Sequence, residues 1–420
     1  MRRRPAAFAA VLALAFASSA IADWRVVWTA SPQPLWSGEF PLSTQVPDHF
    51  WRQTLRQSMR VALGGRRVRV MLSNEYGAQA LRIGAAHLAR AGRDGSVAAG
   101  SDRVLRFDGA HAATVPPGAI LLSDPLELDV NALETLSVSL YLPEPTPPST
   151  FHWDARQTAY VGAGDQTAAP AMQVDARLQA RAFVRDILVD GGTRPRTVVA
   201  FGDSITDGNA STPDLDHRWP DFLAARLAPQ NVVVLNAGIS GARLLKTRMG
   251  DSALARFERD VLAQPGLASV IVLMGINDIA WPGHAFAPQE APPRVADLIG
   301  AYRQLIARAH LRGVRVVGAT LTPFEGALQG TPLEGYYRPE RDALREAVNR
   351  WVRDSGEFDA VVDFDALLRD PQHPSRLRAG FDSGDHLHPG DAGYRAMADA
   401  LDAATLFGAT LSAPAARASR

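Results

Sequence analysis

Five short apolar runs in the second half of the chain set the tightest limit on its fold. They are TVVAF (197–201), NVVVLN (231–236), SVIVLM (269–274), VRVVGAT (314–320) and AVVDF (360–364), and segments of helical period separate them. Strands that are apolar throughout belong to a parallel sheet covered on both faces by helices, because neither face meets water. The pattern therefore predicts an α/β fold with a five-stranded, doubly wound parallel sheet. One clear helix carries Val295, Leu298, Ile299, Tyr302, Leu305, Ile306 and Ala309 on one face and stops near Gly313. A final helix presents Tyr394, Met397, Ala398 and Leu401.

Before this region the period changes to two. Leu55, Met59, Val61 and Leu63 alternate with polar partners, Gly64-Gly65 reads as a tight turn, and Val68, Val70 and Leu72 alternate again, so a hairpin is expected here. Leu136, Val138, Leu140 and Leu142 form another alternating stretch, which ends at the proline-rich loop PEPTPP. Residues 23–190 are accordingly expected to form an all-β sandwich or jelly-roll-like domain, and residues 191–410 the α/β domain, with 411–420 as a flexible tail.

The first 22 residues read as a cleavable secretory leader: three arginines, an apolar run and Ala20-Ile21-Ala22 as the cleavage signal, which puts the mature start near Asp23. Twin-arginine export is an open alternative to the general route. The apolar run is shorter than the roughly 20 residues that span a bilayer, and no second one follows, so no stable membrane anchor is expected. Removal of Arg2, Arg3 and Arg4 leaves 41 basic against 44 acidic residues, a formal charge of −3 that offers nucleic acid nothing. The chain has no cysteine, which excludes disulfides, thiolate metal sites and a thiol nucleophile. A periplasmic or secreted location is the expectation; the oligomeric state is left open.

In an open α/β sheet, ligands sit outside the carboxyl ends of the strands, so the polar residues that follow each run are the ones to inspect. They are Ser204 in GDS, Gly238 and Gly241 in NAGISG, Asn277 and Asp278 in GIND, and Asp385 and His388 in DHLH. Each has a bland reading as a turn, cap or solvated loop, and DHLH has metal-like content without further ligands to complete a site. Together they fill four roles that ester hydrolysis needs. Ser204 is the candidate nucleophile, His388 the base and Asp385 its orienter. The backbone N–H groups of Ser204 and Gly241 and the side-chain amide of Asn277 are the candidate oxyanion donors. Pro389 keeps His388 out of helical geometry, on a loop before the last helix. His386 reads as a solvated neighbour, Asp203 and Asp278 as carboxylates that hold loop amides, and Trp281, Tyr336 and Tyr337 as aromatics that either line the site or simply pack.

In order and spacing, GDS, NAGISG, GIND and DHLH resemble the four blocks of the SGNH hydrolases, also called GDSL esterases and lipases. The resemblance covers about residues 196–407 and implies the roles given above for Ser204, Gly241, Asn277, Asp385 and His388. The first block reads Gly-Asp-Ser-Ile instead of Gly-Asp-Ser-Leu, an apolar exchange that leaves those roles intact. The stretches WTASPQ, RVRVMLSNEYG and YVGAGDQT also resemble the β domain of a bacterial branch of this family. A serine esterase that needs neither cofactor nor metal follows, acting on short-chain esters of a small molecule or polysaccharide, with carbohydrate O-acetyl groups the first choice. Lipase, lysophospholipase or aryl esterase activity is the alternative. A glycan-binding protein with a vestigial site is the reading from another class.

Overall fold

The computed structural model describes residues 23–36, 40–191, 194–284 and 286–408; the expected leader and the 411–420 tail lie outside them. Five parallel strands form the predicted sheet: Arg196–Gly202, Val232–Gly238, Leu267–Leu273, Arg315–Ala319 and Ala360–Val362. Their spatial order is second, first, third, fourth, fifth. The order reverses at the first strand, and the crevice beyond its carboxyl end is where such a sheet receives a ligand. In the register, Gly202 stands opposite Gly238 on one side and Leu273 on the other.

The apolar runs became parallel strands because helices cover both faces. Val198, Val199, Ala200 and Phe201 have no exposed surface. Helix Val295–His310 buries Leu298, Tyr302, Leu305, Ile306 and Ala309 of the face its period predicted, and Ala301 besides, while Val295 and Ile299 are half-buried. Asp297 accepts from the Arg294 backbone N–H at its start, and Gly313, at φ +66°, ends the turn that follows it. Each fully buried Leu or Ile on that face is worth about 1.5–3 kcal/mol. The helix expected to be final, Asp391–Asp399, buries Tyr394, Met397 and Ala398, with Leu401 buried just past its end, and a short helix, Ala403–Phe407, follows it. Beneath the crevice, the buried Arg256 guanidinium donates to the carbonyls of Gly202 (2.9 Å) and Ala237 (2.8 Å) and to Asp260 (2.9 Å). One side chain thus clips together the ends of the first two parallel strands.

The described residues before 191 fold as antiparallel sheets. One contains Trp24–Thr29, Val184–Asp190, Gly65–Ser73 and Leu126–Val130, with Ile120–Leu122 also paired to Gly65–Ser73. A six-stranded sheet holds Thr135–Leu142 between Gln53–Arg60 and Ala85–Arg90. Apolar side chains from both sheets enter the same hydrophobic core, among them Leu55, Met59, Val138 and Leu140 from one and Val68, Val70, Leu72 and Ile187 from the other.

The expected hairpin at Gly64-Gly65 does not form. Its two arms belong to different sheets, and the glycine pair carries the chain from one to the other. Neither glycine has a positive φ. They are needed for close backbone approach instead: a Cβ on Gly64 would lie 2.1 Å from the Val130 carbonyl oxygen, and one on Gly65 2.3 Å from that of Asp190.

Candidate active site

Ser204 stands directly beyond the first parallel strand, at the start of the four-residue helix Ser204–Asp207. Asp203 caps that helix by accepting from the Ile205 N–H (3.1 Å), and Gly208 ends it at φ +101°. The strand therefore delivers Ser204 into the crevice on a sharp, doubly capped turn. Its Oγ lies 2.8 Å from His388 Nε2, and His388 Nδ1 lies 2.6 Å from Asp385 Oδ2. Ser204 and His388 are 7% and 6% exposed, so the Ser–His contact is largely shielded from water.

The loop that carries Asp385 and His388 folds back on itself through the same carboxylate. Asp385 Oδ1 accepts from the backbone N–H groups of Leu387 (2.9 Å) and His388 (2.8 Å), while Oδ2 faces the ring. Burial opposes ionisation of this carboxyl. The His388 ring and those N–H groups outweigh it and hold Asp385 well below the usual carboxylate range. His386 points elsewhere: it sits at φ +62°, is largely exposed and pairs with Asp382 at 2.5 Å. Among the described residues no group of three or more His, Asp or Glu side chains is placed to hold a metal ion.

The three candidate donors line the same cavity as Ser204 and His388. Among the described residues no backbone or side-chain acceptor receives the N–H of Ser204 or of Gly241, so both are free to donate into the cavity. Asn277 follows the third parallel strand; its Nδ2 donates to the Ala242 carbonyl at 3.0 Å, which leaves its second N–H for the cavity. Its Oδ1 accepts from the Tyr336 hydroxyl at 2.7 Å. Tyr336 thus fixes which way the amide faces, a task not assigned to it from sequence.

Asp278 accepts from the N–H groups of Leu244 (2.7 Å) and Leu245 (3.0 Å), so it ties the third crossover to the second. Burial raises it to about 6 against those two bonds, and burial raises Asp203 to about 7. Both carboxylates hold backbone amides, as expected. One oxygen of Asp203 is buried without a hydrogen bond.

The cavity has a volume of about 150 Å³. Trp281 and Tyr336 line it, together with Met249, Phe286 and Leu387, whereas Tyr337 packs edge-on against Phe324. Leu42 and Trp153 line it as well, from the antiparallel half of the chain. Nothing in their sequence context marks those two, because their proximity to Ser204 arises only from the tertiary fold.

Residues 198–401 match the family model of the GDSL-like lipases/acylhydrolases. This part of the chain is a GDSL-like acylhydrolase domain. A search of curated proteins finds no match. Among solved structures, the acylhydrolase domain is similar to Est24, a carbohydrate acetylesterase from Sinorhizobium meliloti (16% identity, 49% of this chain and 95% of that one, TM-score 0.38). It is also similar to an aryl esterase of M. smegmatis (17% identity, 48% and 94%, TM-score 0.38) and to the acetyl xylan esterase AlAXEase (20% identity, 49% and 96%, TM-score 0.37). The antiparallel region before residue 198 lies outside the family match.

Proposed function

We propose that the protein is an exported serine esterase that removes short acyl groups, with O-acetyl groups on carbohydrate as its substrate class. The observation that carries the reading is the continuous Ser204–His388–Asp385 hydrogen-bond chain, 2.8 and 2.6 Å, opening on a cavity lined by unused donors. In this mechanism Ser204 Oγ attacks the ester carbonyl as its proton passes to His388 Nε2, while Asp385 holds the ring through Nδ1. The N–H groups of Ser204 and Gly241 and the Asn277 amide take the oxyanion of the tetrahedral intermediate. Collapse expels the alcohol, which receives its proton from His388. Water, deprotonated by His388, then attacks the acyl-enzyme; the carboxylic acid leaves and Ser204 recovers its proton.

The size of the cavity supports a short acyl group. A space of about 150 Å³ accommodates a body the size of benzene, enough for a short acyl group. The carbohydrate reading and the export reading rest on the arginine-led, apolar start of the sequence and on the β region that accompanies the hydrolase. Acetate or fatty-acid release from acetylated xylan, pectin, peptidoglycan and phospholipid, each with Ser204→Ala as control, tests the proposal. Release from an acetylated glycan that disappears in the folded variant is expected. Turnover that survives in Ser204→Ala removes the nucleophile assignment, and preferential phospholipid cleavage removes the substrate class.

A further inference from the structure

The family match begins at residue 198, yet both supports of the Gly241 N–H are anchored in residues that precede it. On one side, Ser240 donates its backbone N–H (2.9 Å) and its hydroxyl (2.8 Å) to Asp207 Oδ2. The other oxygen of Asp207 lies 2.9 Å from His152 Nε2, and His152 Nδ1 lies 2.9 Å from the Ser31 carbonyl oxygen. The ring thus bridges a backbone carbonyl and a carboxylate that is 1% exposed. On the other side, the Met249 sulfur packs so closely on Gly241 that a Cβ there would lie 2.1 Å from it. The Met249 carbonyl is held by Gln33 Nε2 and, at 2.9 Å, by Trp36 Nε1.

We propose that His152 is a positioning residue for the oxyanion donor Gly241, acting through Asp207 and Ser240. The antiparallel region is then a working part of the catalytic unit and not an appended binding module. The inference rests on the esterase reading above. Its physical basis is that a buried carboxylate that loses its partner must turn, take up a proton or draw in water. Any of these releases Ser240, and the next N–H in the chain is the one that faces the oxyanion. A displacement of about 1 Å at such a donor costs on the order of 10² in rate.

The test compares His152→Ala and His152→Gln with the wild-type full chain, using p-nitrophenyl acetate and a trifluoromethyl ketone that adds reversibly to Ser204 to give a tetrahedral oxyanion. For His152→Ala, kcat is expected to fall on the order of 10²-fold with KM nearly unchanged, and the inhibition constant for the ketone to rise in step. His152→Gln keeps a donor toward Asp207 and is expected to recover at least about tenfold of that loss. If His152→Ala does not fold, His152→Gln carries the test, since its amide lacks the ring's two opposed nitrogens that bridge Asp207 and the Ser31 carbonyl, and it is expected to show the same parallel change in kcat and inhibition constant on a smaller scale. A fall in kcat with the inhibition constant unchanged reports only fewer folded sites and overturns the inference, as does wild-type kcat in the folded variants. A wild-type enzyme inert toward the ester removes the esterase reading and this inference with it, whereas an active wild type with unaffected variants overturns this inference alone.

Discussion

Gly241→Ala probes the proposed oxyanion loop most directly. Gly241 sits at φ +73°, where an L-residue pays roughly 1–2 kcal/mol. The added Cβ would lie 2.1 Å from Met249 Sδ and 2.9 Å from Trp281 Cζ2, against an ordinary contact of about 3.5–4.0 Å. Met249 and Trp281 are 2% and 1% exposed, and the Met249 carbonyl is pinned by two side chains, so the sulfur has little room to retreat. Overpacking of this kind adds about 1–3 kcal/mol. The expected loss of stability is therefore about 2–5 kcal/mol, within the roughly 5–15 kcal/mol that a folded domain holds. Because the clash relaxes by moving the loop, kcat is expected to fall on the order of 10²- to 10³-fold, the cost of misplacing or losing one donor. Urea denaturation with an unchanged slope gives the first quantity and p-nitrophenyl acetate kinetics the second. Adding Met249→Ala separates the two causes, since it relieves the overpacking and leaves the backbone strain, so the double variant is expected to be more stable than the two single losses predict. A Gly241→Ala enzyme that keeps kcat within threefold of wild type and loses under about 1 kcal/mol would refute this account of the loop.

Two further outcomes follow from groups behind the site. Tyr336→Phe removes the hydroxyl that fixes the Asn277 amide, and kcat is expected to fall on the order of tenfold with KM nearly constant; an unchanged kcat shows that the amide holds its orientation unaided. Asp203, raised by burial to about 7, keeps in the folded state a proton that the unfolded chain releases near pH 4, so it makes stability decline as pH rises from about 4 to 7 and level off above. Asp203→Asn cannot ionise yet can still accept from Ile205, so denaturation midpoints taken between pH 4 and 8 are expected to decline less steeply, most clearly above pH 6, with the share of Asp278 remaining below it. A variant whose midpoints fall as steeply as the wild type's would locate the proton elsewhere.

The parallel sheet was legible because its strands are covered on both faces. A run such as 197–201 has few other homes, and the helix at 295–310 shows its buried face through period alone. The residues brought to the crevice were legible for a related reason: Ser204, Asn277 and Gly241 each follow a strand within a few positions, where the topology leaves them little freedom. Gly64-Gly65 misled because strict alternation on both sides of a glycine pair looks the same whether the arms pair with each other or with strands far away in sequence; what distinguishes the cases is the backbone of Val130 and Asp190 pressing on the glycines. His152, Gln33, Trp153 and Leu42 carry no local signature at all. Their contacts reach across 55 residues from His152 to Asp207 and 216 from Gln33 to Met249, and only the completed fold supplies them.

The two-handed grip of Asp385 on its own loop bears on how this enzyme is to be dissected. One oxygen orients the imidazole while the other ties down the peptide units of residues 387 and 388, so the acid is at once an electrostatic partner and a hinge pin. Replacing it with alanine withdraws both services together, and the proposed base His388 is then lost as much by wandering as by losing its counter-charge. Rate losses at position 385 therefore measure loop order plus ring orientation, and comparison with a His388 variant, in which the pin stays in place, tells the two apart.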